Sequence, residues 1–246
     1  TSAGSNDLIV TGGDWTKASG GSVNIGTSTV CFNATAGTKL ISNGSTSLYN
    51  LTTNGSAAFT LGANTTVSNN LTILAGTLDV STSNYNLTVG GNWSNSGTFT
   101  ARTGTVTLNA TGAVTKTLNP GASSFNALTI NGGTTTIFQL TSNNLSSTGN
   151  TTITAGTLKL NHLTFNHGDG TGTDALSISG TLDVDSNAFL KMCANSTLTV
   201  NSGIDRALSG IQATTQRASQ VKDNPYGDGT LNKWLDPAAF AQPAFG

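Results

Sequence analysis

The sequence predicts an all-β chain: a β-solenoid (parallel β-helix) of about nine short coils with a C-terminal capping or tail segment. Three observations predict it. Two long segments echo one another at a fixed interval. The residues within them alternate apolar and polar with period two over runs too short for a helix. The composition favours strands and turns, with 44 Thr among 246 residues, no Glu and only 9% charged side chains.

Residues 12–55, GGDWTKASGGSVNIGTSTVCFNATAGTKLISNGSTSLYNLTTNG, return from Gly90 as GGNWSNSGTFTARTGTVTLNATGAVTKTLNPGASSFNALTING. Trp15 answers Trp93, the Asn33-Ala34-Thr35 run answers Asn109-Ala110-Thr111, and Leu51 answers Leu128. The spacing is roughly 77 residues, and self-similarity at a fixed period marks a repeat architecture. The super-repeat spans about 12–89 and 90–166, with a partial third copy over 176–203.

Short strands follow in order. Thr105-Val106-Thr107-Leu108, Ala127-Leu128-Thr129-Ile130, Leu158-Lys159-Leu160, Leu176-Ser177-Ile178 and Leu198-Thr199-Val200 each place aliphatics on one side. Asn54-Gly55, Gly90-Gly91, Asn131-Gly132-Gly133 and Gly168-Asp169-Gly170 punctuate them. A finer phrase recurs: Ala75-Gly76-Thr77-Leu78 and Ala155-Gly156-Thr157-Leu158, with an echo at Gly180-Thr181-Leu182-Asp183-Val184. Two or three strands with their turns occupy about 20–25 residues, a solenoid coil. A single coil cannot close its own core, so stacking must bury the aliphatic stripe. A β-sandwich is the alternative, since regular strand spacing suits it too; the direct echoes favour the solenoid.

Residues 1–203 therefore read as one Thr/Asn-rich β-repeat domain, and 204–246 as a C-terminal cap or docking tail. The second segment holds three of the four prolines. Ile204, Leu208 and Ile211 fall at helical spacing, which predicts a helix over 205–221. The end is apolar and carries Trp234, Phe240 and Phe245. It either covers the open end of the solenoid or docks on a neighbouring subunit.

The phrases LTILAGTLDVSTSNYNLTVGGNW and GGNWSNSGTFTARTGTVTLNATG resemble the β-strand repeats of large bacterial secreted and surface proteins of the adhesin type. That resemblance covers roughly residues 12–203 and implies a β-solenoid, export and a structural or adhesive role. Residues 223–246, DNPYGDGTLNKWLDPAAFAQPAFG, resemble a segment near the C-terminus of TonB-dependent outer-membrane receptors. This second resemblance implies a Gram-negative source.

A net charge of −1 without a basic run argues against nucleic acid as partner. No apolar stretch approaches the roughly 20 residues that span a bilayer. The opening TSAGSND, without Met, fits a mature exported product. The expected location is secreted, at the cell surface. The expected partners are other copies of the chain, in a homopolymer, and surface glycans.

Twelve Asn-x-Ser/Thr sequons include Asn33, Asn43, Asn50, Asn64, Asn92, Asn109 and Asn195, candidate glycosylation sites if the chain meets the machinery. Cys31 and Cys193 sit about seven coils apart in the solenoid, roughly 33 Å, beyond disulfide reach within one rod. Head-to-tail stacking could bring one to the other, which makes them candidate assembly residues with Trp234, Phe240 and Phe245; two separate free thiols, or an internal bridge in a sandwich, are the alternatives.

No catalytic residue, metal or cofactor is expected. Asp183 and Asp185 flank Val184 and would share a face, the best approach to a carboxylate pair, with Asp79 in the position equivalent to Asp183. No cation cluster accompanies them in sequence. His162, Asn166, His167, Asp169 and Asp174 offer ligand atoms in a Gly-rich loop but match no standard spacing. Thr105, Thr107 and Thr134, Thr135 and Thr136 suggest a hydroxyl-bearing face, as an ice-binding solenoid would need, though no Thr-x-Thr recurs in every coil. The leading expectation is a non-enzymatic extracellular subunit that stacks end to end into a filament or surface layer. The alternatives are a monomeric surface adhesin or carbohydrate-binding module, and a β-helix enzyme acting on polysaccharide.

Overall fold

A computed structural model describes residues 7–17, 23–44, 46–171, 173–184, 188–193, 196–200, 204–205, 211–213 and 221–222. Every strand pair in it is parallel, and partners are the same strand of successive coils. The fold is a β-solenoid; the antiparallel pairing of a β-sandwich does not occur among the described residues.

Three faces wrap the core in the chain order one, two, three. Face one is a ten-stranded sheet from Leu8–Val10 to Ile204–Asp205. Face two is a five-stranded sheet from Trp15–Thr16 to Thr98–Thr100, succeeded by a four-stranded sheet from Leu145–Ser147 to Ile211–Ala213. Face three is an eight-stranded sheet from Thr65–Val67 to Val221–Lys222. Coil length varies: Leu51 pairs with Leu71, 20 residues on, and Trp93 with Leu118, 25 on.

In Thr29–Phe32, Ala58–Leu61, Thr105–Leu108 and Ala175–Ile178 inward and outward residues alternate, so each contributes two buried side chains. Val30, Leu51, Leu71, Trp93, Leu118 and Leu140 form one inward column along face one, all at most 1% exposed. Each such side chain contributes about 1.5–3 kcal/mol by burial. Only stacked coils provide that cover.

The duplication does not span a whole number of coils. Trp15 lies on face two, paired with Ile41, while Trp93 lies on face one, between Leu71 and Leu118. Leu51 is on face one and its counterpart Leu128 on face three. The second copy is therefore turned by one face. The phrase Ala-Gly-Thr-Leu behaves likewise: residues 75–78 enter face two and 155–158 enter face one. Gly76 and Gly156 have φ of +69° and +82°, the same left-handed corner on different edges of the rod.

The cross-section changes where face two passes from its first sheet to its second. Phe99 N–H has no strand partner above it and donates to Ser123 Oγ at 2.8 Å. Buried Asn95 donates through Nδ2 to the Pro120 carbonyl at 2.9 Å and to Ser123 Oγ at 3.1 Å. Trp93, Phe99 and Phe125 fill the space, with Trp93 edge-on to both rings at 4.9 and 5.0 Å.

The described residues of 205–221 are in strands, not in the expected helix. These strands pair Leu182 with Ile204, Leu190 with Ile211 and Leu198 with Val221. A coil of about 21 residues with three faces brings a core position round roughly every seven, which coincides with two helical turns. The remainder of 204–246, with Trp234, Phe240 and Phe245, lies outside the described residues, as do Asp185 and Asn195.

Candidate functional site

The outward residues are those available for function. On face three they form one unbroken column: Thr66, Thr88, Thr107, Thr129, Thr152, Ser177 and Thr199 pair in succession. Parallel pairing sets these hydroxyls about 4.8 Å apart. Thr105 starts a flanking column but stands beside Ala127, and Ala175 beside Thr197, so the array is one hydroxyl wide. Thr136 is buried, its hydroxyl donating to the Gly112 carbonyl at 2.7 Å; Thr134 and Thr135 lie exposed in the turn before Ile137–Leu140.

The corners are held by asparagine ladders. Asn50 Oδ1 accepts the Asn70 N–H at 3.1 Å, Asn70 Oδ1 that of Asn92 at 2.9 Å, and Asn92 Oδ1 that of Thr117 at 2.8 Å. On the next corner Asn64 accepts from Asn86 N–H at 2.9 Å, and Asn86 from Thr105 N–H at 3.0 Å. These asparagines explain many of the sequons. In Asn50-Leu51-Thr52, Asn70-Leu71-Thr72, Asn86-Leu87-Thr88 and Asn92-Trp93-Ser94 a corner amide is followed by an inward and then an outward residue. Asn43 is buried, with Nδ2 bonded to the Thr46 carbonyl and Oδ1 accepting from the Thr65 hydroxyl. Asn33 and Asn109 are half-buried just past strands of faces one and three.

The carboxylates named from sequence do not come together. Asp183 is on face one, 3.3 Å from Lys159 Nζ. Asp79 is on face two, and both its oxygens accept from Arg102 at 2.6 Å. The Arg102 guanidinium, with help from Ser81 N–H, holds the Asp79 carboxyl below its ordinary range despite partial burial. Both cations come from an adjacent coil, so a local reading of sequence misses them.

The His/Asp loop divides likewise. His167 points into the core, fully buried, edge-on to Phe165 at 5.7 Å, with neither ring nitrogen hydrogen-bonded. Burial pushes it down to about 4, opposed in part by the nearby Ala175 carbonyl. Asp169 Oδ1 accepts from Thr171 N–H and Oγ1, both at 2.7 Å, which lowers its pKa. Burial raises that of Asp174. Asn166 faces outward and reaches Ser146 Oγ at 3.4 Å, while His162 is exposed. Among the described residues no three His, Cys or Asp side chains are placed to hold a metal ion.

Both cysteines are free and half-buried. Cys31 is on face one between Ile9 and Thr52, and burial, with Asp7, raises its pKa. Cys193 follows Phe189–Met192, seven coils away along the rod, and its N–H donates to the His167 carbonyl at 2.9 Å.

A groove of about 580 Å³ opens on the corner between faces two and three. Unequal corners make it. The third coil turns with only residues 62–64, between Ala58–Leu61 and Thr65–Val67. Its neighbours use residues 43–47, up to the bridge at Leu48, and 80–86, up to Leu87–Val89. Gly44 and Thr46 line one side, Tyr85 the other, and Gly62, Ala63, Asn64 and Thr66 the floor. Gly62 is required there, since a Cβ would lie 2.8 Å from that of Ser42. Of these residues only Asn64 stood out in the sequence, as a sequon; the signal for the rest was the uneven spacing of inward residues.

The chain matches no protein-family model, no curated protein and no solved structure. No helix among the described residues is long and apolar enough to cross a membrane.

Proposed function

We propose that the chain is a non-enzymatic structural subunit of an extracellular filament or surface layer, built by end-to-end stacking of solenoids. The observation that carries this reading is the strand Leu8–Val10. Among the described residues it pairs with Thr29–Phe32 alone, and Leu8 and Ile9 are 39% and 57% exposed. Natural sheets blunt such edges with charge, proline or a bulge; this strand carries none, and Asp7 is the nearest charge. A heterologous contact at this edge propagates into a filament when its rotation does not close into a ring, as stacking along the rod axis would ensure. The resemblance of residues 12–203 to adhesin-type repeats supports export. Sedimentation over a range of concentrations tests the proposal: wild type forms larger species as concentration rises, and Ile9→Lys stays monomeric. Identical monomeric behaviour of both proteins would sink it.

A further inference from the structure

The corner groove has the chemistry of a small-molecule site on a rigid frame. Its volume lies within the roughly 300–1,000 Å³ usual for ligand pockets. Its walls are backbone-paired coils, so little ordering cost attends binding. Tyr85, half-buried against the core, lines one wall. Three further side chains with hydrogen-bonding capacity converge on the same space: Thr46, Asn64 and Thr66. Asn64 spends its oxygen on Asn86 N–H, which orients its Nδ2 donor. The hydroxyls of Thr46, Thr66 and Tyr85 have no protein partner among the described residues.

Among the described residues no charged side chain lines the groove, and the cation Lys17 lies beside Gly44 at its edge. A phosphate or carboxylate would therefore lose solvation without an ion-pair partner in the groove. A pyranose ring presents an apolar C–H face and a rim of hydroxyls that both donate and accept. A tyrosine ring bordered by hydroxyls and an amide offers partners for both properties. We propose that this groove binds a neutral saccharide, with one pyranose ring against Tyr85 and its hydroxyls on Thr46, Asn64 and Thr66. The site is on the flank of the rod, so the inference is independent of end-to-end assembly.

A glycan array carrying neutral hexose, N-acetylhexosamine and uronic-acid oligosaccharides, followed by calorimetry on the neutral hits, tests it. Wild type is expected to bind a neutral class saturably. Asn64→Asp and Tyr85→Ala are expected to weaken binding at least tenfold, and Thr46→Val and Thr66→Val about threefold, with Lys17→Gln unchanged. If Tyr85→Ala does not fold, amide shifts of Thr46, Asn64 and Thr66 on titrating wild type with the best neutral saccharide replace it. No neutral binding, neutral binding that Asn64→Asp and Thr46→Val leave intact, or preference for uronates lost in Lys17→Gln would each overturn the proposal.

Discussion

Trp15 and Trp93 are counterparts in the sequence duplication yet stand on different faces of the rod, and their surroundings differ accordingly. Trp93 is 1% exposed and touches Phe99 and Phe125 edge-on; Trp15 is half-buried and meets Phe32 at 6.1 Å. Trp93→Ala should cost about 3–5 kcal/mol, as for large core truncations. Trp15→Ala should cost clearly less. Urea unfolding of the two variants checks the difference, and equal losses would contradict the packing described.

Corner glycines separate backbone strain from steric exclusion. Gly76 and Gly112 both have positive φ, +69° and +89°. A Cβ on Gly76 would fall on the carbonyl oxygens of Gly55 and Ala57 in the coil below, whereas one on Gly112 meets nothing within 4 Å. Gly112→Ala should cost about 1–2 kcal/mol, the left-handed penalty alone. Gly76→Ala should cost more, because the coils must part. Thermal melts of the pair report the contrast.

His167 makes stability depend on pH. Its pKa is about 4 in the folded chain and close to 6.5 once unfolded. Between these values the unfolded chain binds the extra proton, so stability falls as pH drops from about 6.5 to about 4 and this contribution then levels off. The loss is about 3 kcal/mol. His167→Leu should flatten the stability profile over that window, measured by denaturant melts at stepped pH. The Asp79–Arg102 pair acts in the same direction at lower pH, since Asp79 is held ionised.

The asparagine ladders predict that the side-chain oxygen matters, not the amide nitrogen. Asn70→Ala removes the acceptor for Asn92 N–H and should cost about 1–2 kcal/mol. Asn70→Asp keeps an acceptor and should cost less. Equal losses in chemical denaturation would show that the acceptor oxygen is not the source of the stabilisation.

Much of this architecture is legible in sequence because all three faces use the same code. A corner asparagine or glycine, an inward aliphatic and an outward threonine recur whichever face the segment enters. That is why the duplication was visible, and also why its rotation was not: Leu51 and Leu128 look alike on faces one and three. The same economy hid the corner groove, which depends on three coils having unequal turns. It also made Ile204 and Ile211 look helical, since seven residues separate neighbouring faces as well as two helical turns. The ion pairs Asp79–Arg102 and Asp183–Lys159 join residues a coil apart, a distance at which local patterns say nothing.

Electron microscopy of the purified full chain, at rising concentration, tests end-to-end stacking most directly. The account predicts unbranched fibres one solenoid wide. Their axial repeat should be at least about 48 Å, from ten face-one strands at about 4.8 Å each, and they should be absent in Ile9→Lys. Single short rods at every concentration, in both proteins, would contradict it.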